Sequence, residues 1–182
     1  MSIPLLFWVC HNRFMTSNFR ISKSDKPDGL LVPFGPLDPD TGWQLTIPKT
    51  FTRKVWYGHL GLDVRISFIF TGQKVEIRSL SVNSEGQEVT SRSLTQLSLP
   101  EVIHEATLSA IPDSQKWELS TKKTRLQYGP VDSKSLFVAQ LYWLEHVSSG
   151  APRAAIMEYL NAPRPTVNQW LREFKKFGFI PS

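Results

Sequence analysis

An α+β fold is what this sequence of 182 residues predicts: an N-terminal antiparallel β-rich domain with a covering helix, followed by three short helices. Three observations carry the expectation. Apolar and polar residues alternate through Trp43–Ile47, Asp63–Phe70 and Val75–Val82, which is the period of strands with one wet face. Thr71-Gly72-Gln73 joins the last two runs with the short Gly-containing link of a β-hairpin. After Gly129-Pro130 the apolar residues change to helical spacing.

The chain opens on an apolar run from Ile3 to Cys10. It is too short to span a bilayer and lacks the basic flank and small-residue cleavage site of a signal peptide, so a strand or a mobile extension is expected. Ser17 to Gly42 is turn-rich: Lys26-Pro27-Asp28-Gly29 and the stretch Gly35–Gly42 put Pro and Gly where φ must be fixed or positive. Leu30–Phe34 is a candidate edge strand. Residues 1–42 are therefore expected as extension and loops, and residues 43–110 as the β-rich domain. A turn at Asn83–Gly86 suggests a third strand near Gln87–Thr90. Pro100 suits a first helical turn, and Val102, Ile103, Ala106 and Ala110 recur at helical spacing, so Pro100–Ser109 is expected to cover the sheet as an amphipathic helix. Residues 111–131 keep no period and are expected as a linker.

Residues 132–182 are expected as a separate helical unit. Phe137, Leu141, Leu144 and Val147 share one helix face behind an N-cap candidate at Asp132 or Ser133, while Ala139, Tyr142 and Trp143 widen the apolar surface toward a second neighbour. Pro152 opens a shorter helix to Leu160, with Ile156 and Leu160 one turn apart. Asn161 follows, and Asn tolerates the left-handed conformation that a tight interhelical turn requires. A third helix is expected from Arg164 to Phe177, with Val167, Trp170, Phe174 and Phe177 inward and Gly178 as its stop. Three helices with a turn of three or four residues before the last is the geometry of a helix-turn-helix. Amides and an arginine on the outer side of the last helix suit base edges in the major groove, and cations suit phosphates. The expected DNA contacts are Arg164, Thr166, Asn168, Gln169, Arg172, Lys175 and Lys176.

Gly150 to Ile180 resembles the C-terminal helix-turn-helix of many actinobacterial and actinophage proteins. Pro152, Leu160, Arg164, Thr166, Trp170, Arg172 and Gly178 carry the likeness. Gly86-Gln87-Glu88-Val89-Thr90 with Leu94, Leu97 and Leu99-Pro100 is similar to the segment that precedes the module in those proteins. The resemblance implies a DNA-binding or regulatory role. Met157 stands where the family usually has Ala, Asn161 where it usually has Gly, and Pro163 where it usually has a capping Ser.

Composition bounds the chemistry. The formal net charge of +5 allows an anionic partner without requiring one. A single cysteine, Cys10, makes no internal disulfide, and no Cys and His stand at zinc spacing, so a reducing, cytoplasmic compartment is expected without membrane, metal or cofactor. His11, His59, His104 and His146 follow no repeated spacing, His104-Glu105 lacks the second His of a metalloprotease helix, and neither a phosphate loop nor a Gly-x-Ser-x-Gly turn is present. No enzymatic activity is expected. Trp43, Trp56, Trp117 and Trp143 are expected in packing. Arg53 and Lys54, beside Trp56 and Tyr57, fit either a nucleic-acid surface with interleaved aromatics or a strand edge whose charges discourage sheet-to-sheet pairing. The expected function is that of a sequence-specific double-stranded DNA-binding protein, a transcriptional regulator of cellular or phage origin, acting as a homo-oligomer because one small module covers few base pairs. The alternatives are a protein-interaction adaptor and a DNA-positioning subunit of packaging or recombination machinery.

Overall fold

The computed structural model describes residues 18–23, 28–84, 86, 88–116, 119, 131–148 and 150–181. The expectations for residues 1–17, Lys26, Pro27, Trp117 and residues 120–130 fall outside the described residues, as do the side chains of Asp132 and Ser133.

The architecture is mixed α+β. A four-stranded antiparallel sheet has the order β1 (Arg20–Lys23), β4 (Thr50–Tyr57), β5 (Leu62–Phe70) and β6 (Val75–Ser84), while β2 (Leu31–Phe34) and β3 (Leu45–Pro48) pair as a separate antiparallel ribbon. Strand β5 shows why alternation was informative: Leu62, Val64, Ile66, Phe68 and Phe70 are buried, whereas Asp63 and Arg65 between them are exposed. The β5–β6 hairpin turns at Gly72 with φ 97°, where a side chain would be strained.

Two expectations about strands are corrected. No strand forms over Glu88–Thr90, the described part of the candidate at Gln87–Thr90, because Thr90 is the N-cap of a short helix, α1 (Ser91–Thr95). Its Oγ1 accepts from the Ser93 amide at 3.1 Å, and the Ser93 Oγ accepts from the Thr90 amide at 3.0 Å. That reciprocal box gives the backbone local partners in place of a ladder. The charged stretch around Arg53 is no sheet edge either, since β4 lies between β1 and β5. Its buried run Phe51, Thr52, Arg53 breaks the simple alternation that revealed its neighbours.

Arg53 is only 1% exposed, so its charge must be met internally. Its guanidinium grips Asp28 in bidentate fashion, Nη1 to Oδ1 at 2.7 Å and Nη2 to Oδ2 at 3.1 Å. Nε donates to the Ser109 hydroxyl at 2.9 Å, and Nη1 also donates to the Thr52 carbonyl at 2.9 Å. Ser109 belongs to α2 (Leu99–Ala110), whose Val102, Ala106 and Ala110 are buried. One side chain thus ties the loop before β2, the interior of the sheet and the covering helix.

The remaining helices are α3 (Val131–Val147), α4 (Pro152–Leu160) and α5 (Arg164–Lys176). Phe137 through Leu141 are all buried, so α3 meets neighbours on every side rather than along one stripe. It packs on α2, α4 and α5, and the buried apolar residues of sheet and helices make one continuous cluster. The stretch expected as a linker begins packed: Ile111 and Leu119 are buried, and Gln115 Nε2 donates to the Thr46 hydroxyl of β3 at 2.6 Å while its Oε1 accepts from the Thr46 amide at 2.9 Å. Gly35 lies against Trp143 of α3, where an added Cβ would come within 3.2 Å of the indole. At the far end of α3, His104 Nδ1 meets the Ser148 hydroxyl at 2.9 Å, joining α2 to the α3 terminus.

Two outcomes follow. Asp28→Ala strips a carboxylate from a nearly fully enclosed guanidinium and is expected to lower unfolding free energy by about 3 kcal/mol, while adding Arg53→Met recovers most of the loss; denaturant titration of both variants checks this. Tyr57 is buried with no hydrogen-bond partner for its hydroxyl, and burial first, then the nearby Glu101 carboxylate, push its pKa from 10.0 to about 12. Because the folded state prefers the protonated phenol, its contribution is complete below pH 10 and is lost as pH rises from 10 to about 12. Tyr57→Phe is expected to flatten that part of the stability profile and to leave stability at neutral pH unchanged or slightly higher.

Candidate functional site

The C-terminal half of the chain brings together most of the side chains expected to meet DNA. Helix α4 ends where predicted, and Asn161 adopts φ 48° and ψ 42°, the one left-handed non-glycine residue among the described residues. Its amide bonds the Glu158 carbonyl at 3.4 Å, and the Ala162 amide reaches back to the Met157 carbonyl at 3.0 Å. Helix α5 ends with the same pattern: Gly178 has φ 73° and its amide bonds the Lys175 carbonyl at 3.1 Å, while the Phe179 amide bonds the Phe174 carbonyl at 2.9 Å. Both are the paired back-bonds that satisfy orphan carbonyls at a helix terminus.

The inward face of α5 differs from the expected one. Val167, Leu171 and Phe174 are buried, Trp170 is half-buried, and Phe177 is 66% exposed. Spacing of four and three residues keeps Val167, Leu171 and Phe174 in one row, whereas Phe177 falls at the C-cap, where the chain leaves the helix. After the Gly178 turn the chain folds back: Ile180 is buried, and the Trp143 Nε1 of α3 donates to the Phe179 carbonyl at 2.7 Å. On α4 the buried pair is Ile156 and Tyr159, with Leu160 only half-buried.

Arg164, Gln169, Arg172, Lys175 and Lys176 are exposed, and Thr166 is half-buried. Asn168 stands apart, because it is half-buried and its Oδ1 is enclosed without a hydrogen-bond partner. It lies on the flank of the helix, not at the centre of the open face. Gln169 Nε2 donates to the Glu173 Oε1 at 3.1 Å, so an adenine edge would have to displace an intrahelical bond. Arg172 Nε reaches only the Asn168 carbonyl, at 3.4 Å.

Electrostatics separates the cations. Lys175 and Lys176 sit in the last turn of α5, where the helix dipole favours positive charge with or without a ligand. Arg164 occupies the opposite end, where the dipole disfavours it; no acidic residue stands in that first turn, and Pro163 supplies no side-chain cap. Amide groups and an arginine at an uncapped helix start suit a phosphate. Arg153, exposed in the first turn of α4, is a further cation that the sequence reading left out. Its signal was its place directly after Pro152, in the first turn of a helix.

No helix among the described residues is long and apolar enough to cross a membrane, and no group of His, Cys, Asp or Glu side chains there is placed to hold a metal ion. The contact between His104 and Ser148 has the wrong polarity for a nucleophile. Ser148 Oγ lies 3.0 Å from the Glu145 carbonyl, which can only accept, so the hydroxyl proton is already used and the imidazole must donate. Ser148 is also fully buried.

The turn at Asn161 offers a direct test. Asn161→Val is expected to cost about 1–2 kcal/mol, because a branched side chain is forced into the left-handed region, while Asn161→Gly is neutral or stabilising; thermal unfolding of both variants reads the difference. Comparison with protein-family models, with curated proteins and with solved structures gave no match to this chain.

Proposed function

We propose that the chain is a sequence-specific double-stranded DNA-binding protein, a transcriptional regulator of cellular or phage origin, whose trihelical C-terminal unit works as a helix-turn-helix. The observation that carries the reading is the two-sided α5: a buried row of Val167, Leu171 and Phe174, an open side bearing Gln169 and Arg172, and a tight left-handed turn at Asn161 before it. The resemblance of Gly150–Ile180 to actinobacterial and actinophage modules points the same way. In this reading α5 enters the major groove, Arg172 and Gln169 meet base edges, and Arg153, Arg164, Lys175 and Lys176 meet phosphates. Thr166 adds a phosphate contact from the first turn, and Asn168 reads a base only if the flank of the helix opens. A dimer or an array would extend the few base pairs one helix can read. An adaptor that binds protein is the second reading, favoured by Phe177 at 66% and Phe179 at 43% exposure beside the end of α5.

Duplex binding against salt tests the proposal. With four phosphate cations engaged, log K is expected to fall against log salt with a slope of roughly −4. Arg172→Ala is expected to cost about 1–3 kcal/mol and relax sequence preference, whereas Arg164→Ala weakens all duplexes alike. A flat salt response, or affinity indifferent to both substitutions, overturns the groove-docking reading and leaves the adaptor in possession.

A further inference from the structure

Glu173 is the one acidic residue of α5, a helix that also carries Arg164, Arg172, Lys175 and Lys176. At about 100° per residue, Gln169 and Lys176 point directly away from the buried row of Val167, Leu171 and Phe174. Arg172 lies on one side of them and Glu173 on the other, and all four are exposed. Gln169 and Glu173 stand one turn apart, and the Gln169 Nε2 donates to the Glu173 Oε1 at 3.1 Å. Chemistry fixes the direction of that bond, because an ionised carboxylate only accepts. The amide nitrogen is therefore turned to Glu173, and the amide oxygen is the end left over for a ligand.

We propose, resting on the groove-docking reading of α5, that Glu173 is a positioning residue which sets Gln169 to read cytosine rather than adenine. A glutamine with both ends to offer suits adenine, whose N6 donates to the amide oxygen and whose N7 accepts from the amide nitrogen. Held by Glu173, Gln169 keeps the acceptor and loses the donor that N7 requires. What this side of the helix then presents is a pair of acceptors, the Gln169 Oε1 and the Glu173 carboxylate.

The base follows from that pattern. In the major groove cytosine presents its N4 amino group as a donor and no acceptor, whereas guanine presents O6 and N7, and thymine O4. Acceptors facing acceptors repel, so guanine and thymine are rejected and adenine is met by one bond instead of two. The guanine paired with the chosen cytosine offers O6 and N7 to Arg172, which lies on the other side of Gln169. A carboxylate on a face that meets DNA also repels phosphates whatever the sequence. Glu173 thus lowers affinity for every duplex while widening the difference between them.

Selection of bound duplexes from a library of randomised sequence by the full chain tests the assignment, followed by competition of the enriched duplex against its single-base variants. The parent is expected to prefer cytosine to adenine about tenfold at one position, the size of one well-made base contact. Gln169→Ala is expected to identify that position by losing the preference there. Glu173→Ala, which places a good helix former at an exposed site, is expected to shift the same position to adenine and to tighten binding to unrelated duplexes. A bond that only steadies the helix leaves base preference as it is in the parent. Unchanged preference in Glu173→Ala therefore overturns the proposal while the groove-docking reading stands. Adenine in the parent at the position that Gln169→Ala identifies, or a preference that Gln169→Ala leaves intact everywhere, overturns it equally. If the parent enriches no duplex, the groove-docking reading falls and the assignment falls with it.

Discussion

A guanidinium with almost no access to water is the constraint around which the β-rich half is arranged. Arg53 cannot stay buried unless its donors are met, and its partners come from segments far apart in sequence: Asp28 from the loop before β2, Ser109 from α2 and the Thr52 carbonyl from its own strand. The bidentate geometry with Asp28 fixes direction as well as distance, so the loop and the helix are held at set positions on the sheet. Phe51 lies under the same guanidinium, 5.0 Å from its carbon to the ring centre. A lysine, a point charge on a flexible stem, would not reproduce this set of contacts.

Helix α3 extends that arrangement into the C-terminal helices. Buried on every side from Phe137 to Leu141, it carries no single apolar stripe there and packs on α2 as well as on α4 and α5. Trp143 touches Gly35 on one side and holds the Phe179 carbonyl on the other, and Ser148 closes onto His104 of α2. His146 stacks on Tyr142 at 5.5 Å, and burial first, then the nearby Lys74, lower its pKa from the ordinary imidazole value. Polar ties of this kind pin the orientation of packed elements more narrowly than apolar contact does, because each has few allowed geometries.

Charge on the open side of α5 is not dictated by the core. Lys175 and Lys176 stand at the helix end whose dipole favours them, whereas Arg164 stands at the end that disfavours it, with no acidic residue in that turn and no side-chain cap from Pro163. The helix itself accounts for the two lysines and leaves the placement of Arg164 without an intrahelical reason.

Local pattern was enough for the elements whose faces are simple. Strand β5 was legible because its alternation maps directly to burial, and helices α2, α4 and α5 because Pro, Asn161 and Gly178 mark their limits through backbone conformation alone; in β6 alternation marked the strand but not its burial, since a register shift interrupts the ladder and Leu80 is exposed. Strand β4 was not legible, since a buried charge interrupts its alternation, and a charged run in sequence cannot reveal whether a carboxylate waits for it across the fold. The inward set of α5 was half right: Val167 and Phe174 follow from helical spacing, but Leu171 rather than Phe177 completes the row because the chain turns back at Gly178 to bury Ile180 instead. Arg164, Arg172, Lys175 and Lys176 could be named from residue type and helix face. That Asn168 is partly enclosed, and that Trp56 is 40% exposed rather than packed, depended on which neighbours cover them, and cross-strand register and packing decide that over distances no local pattern spans.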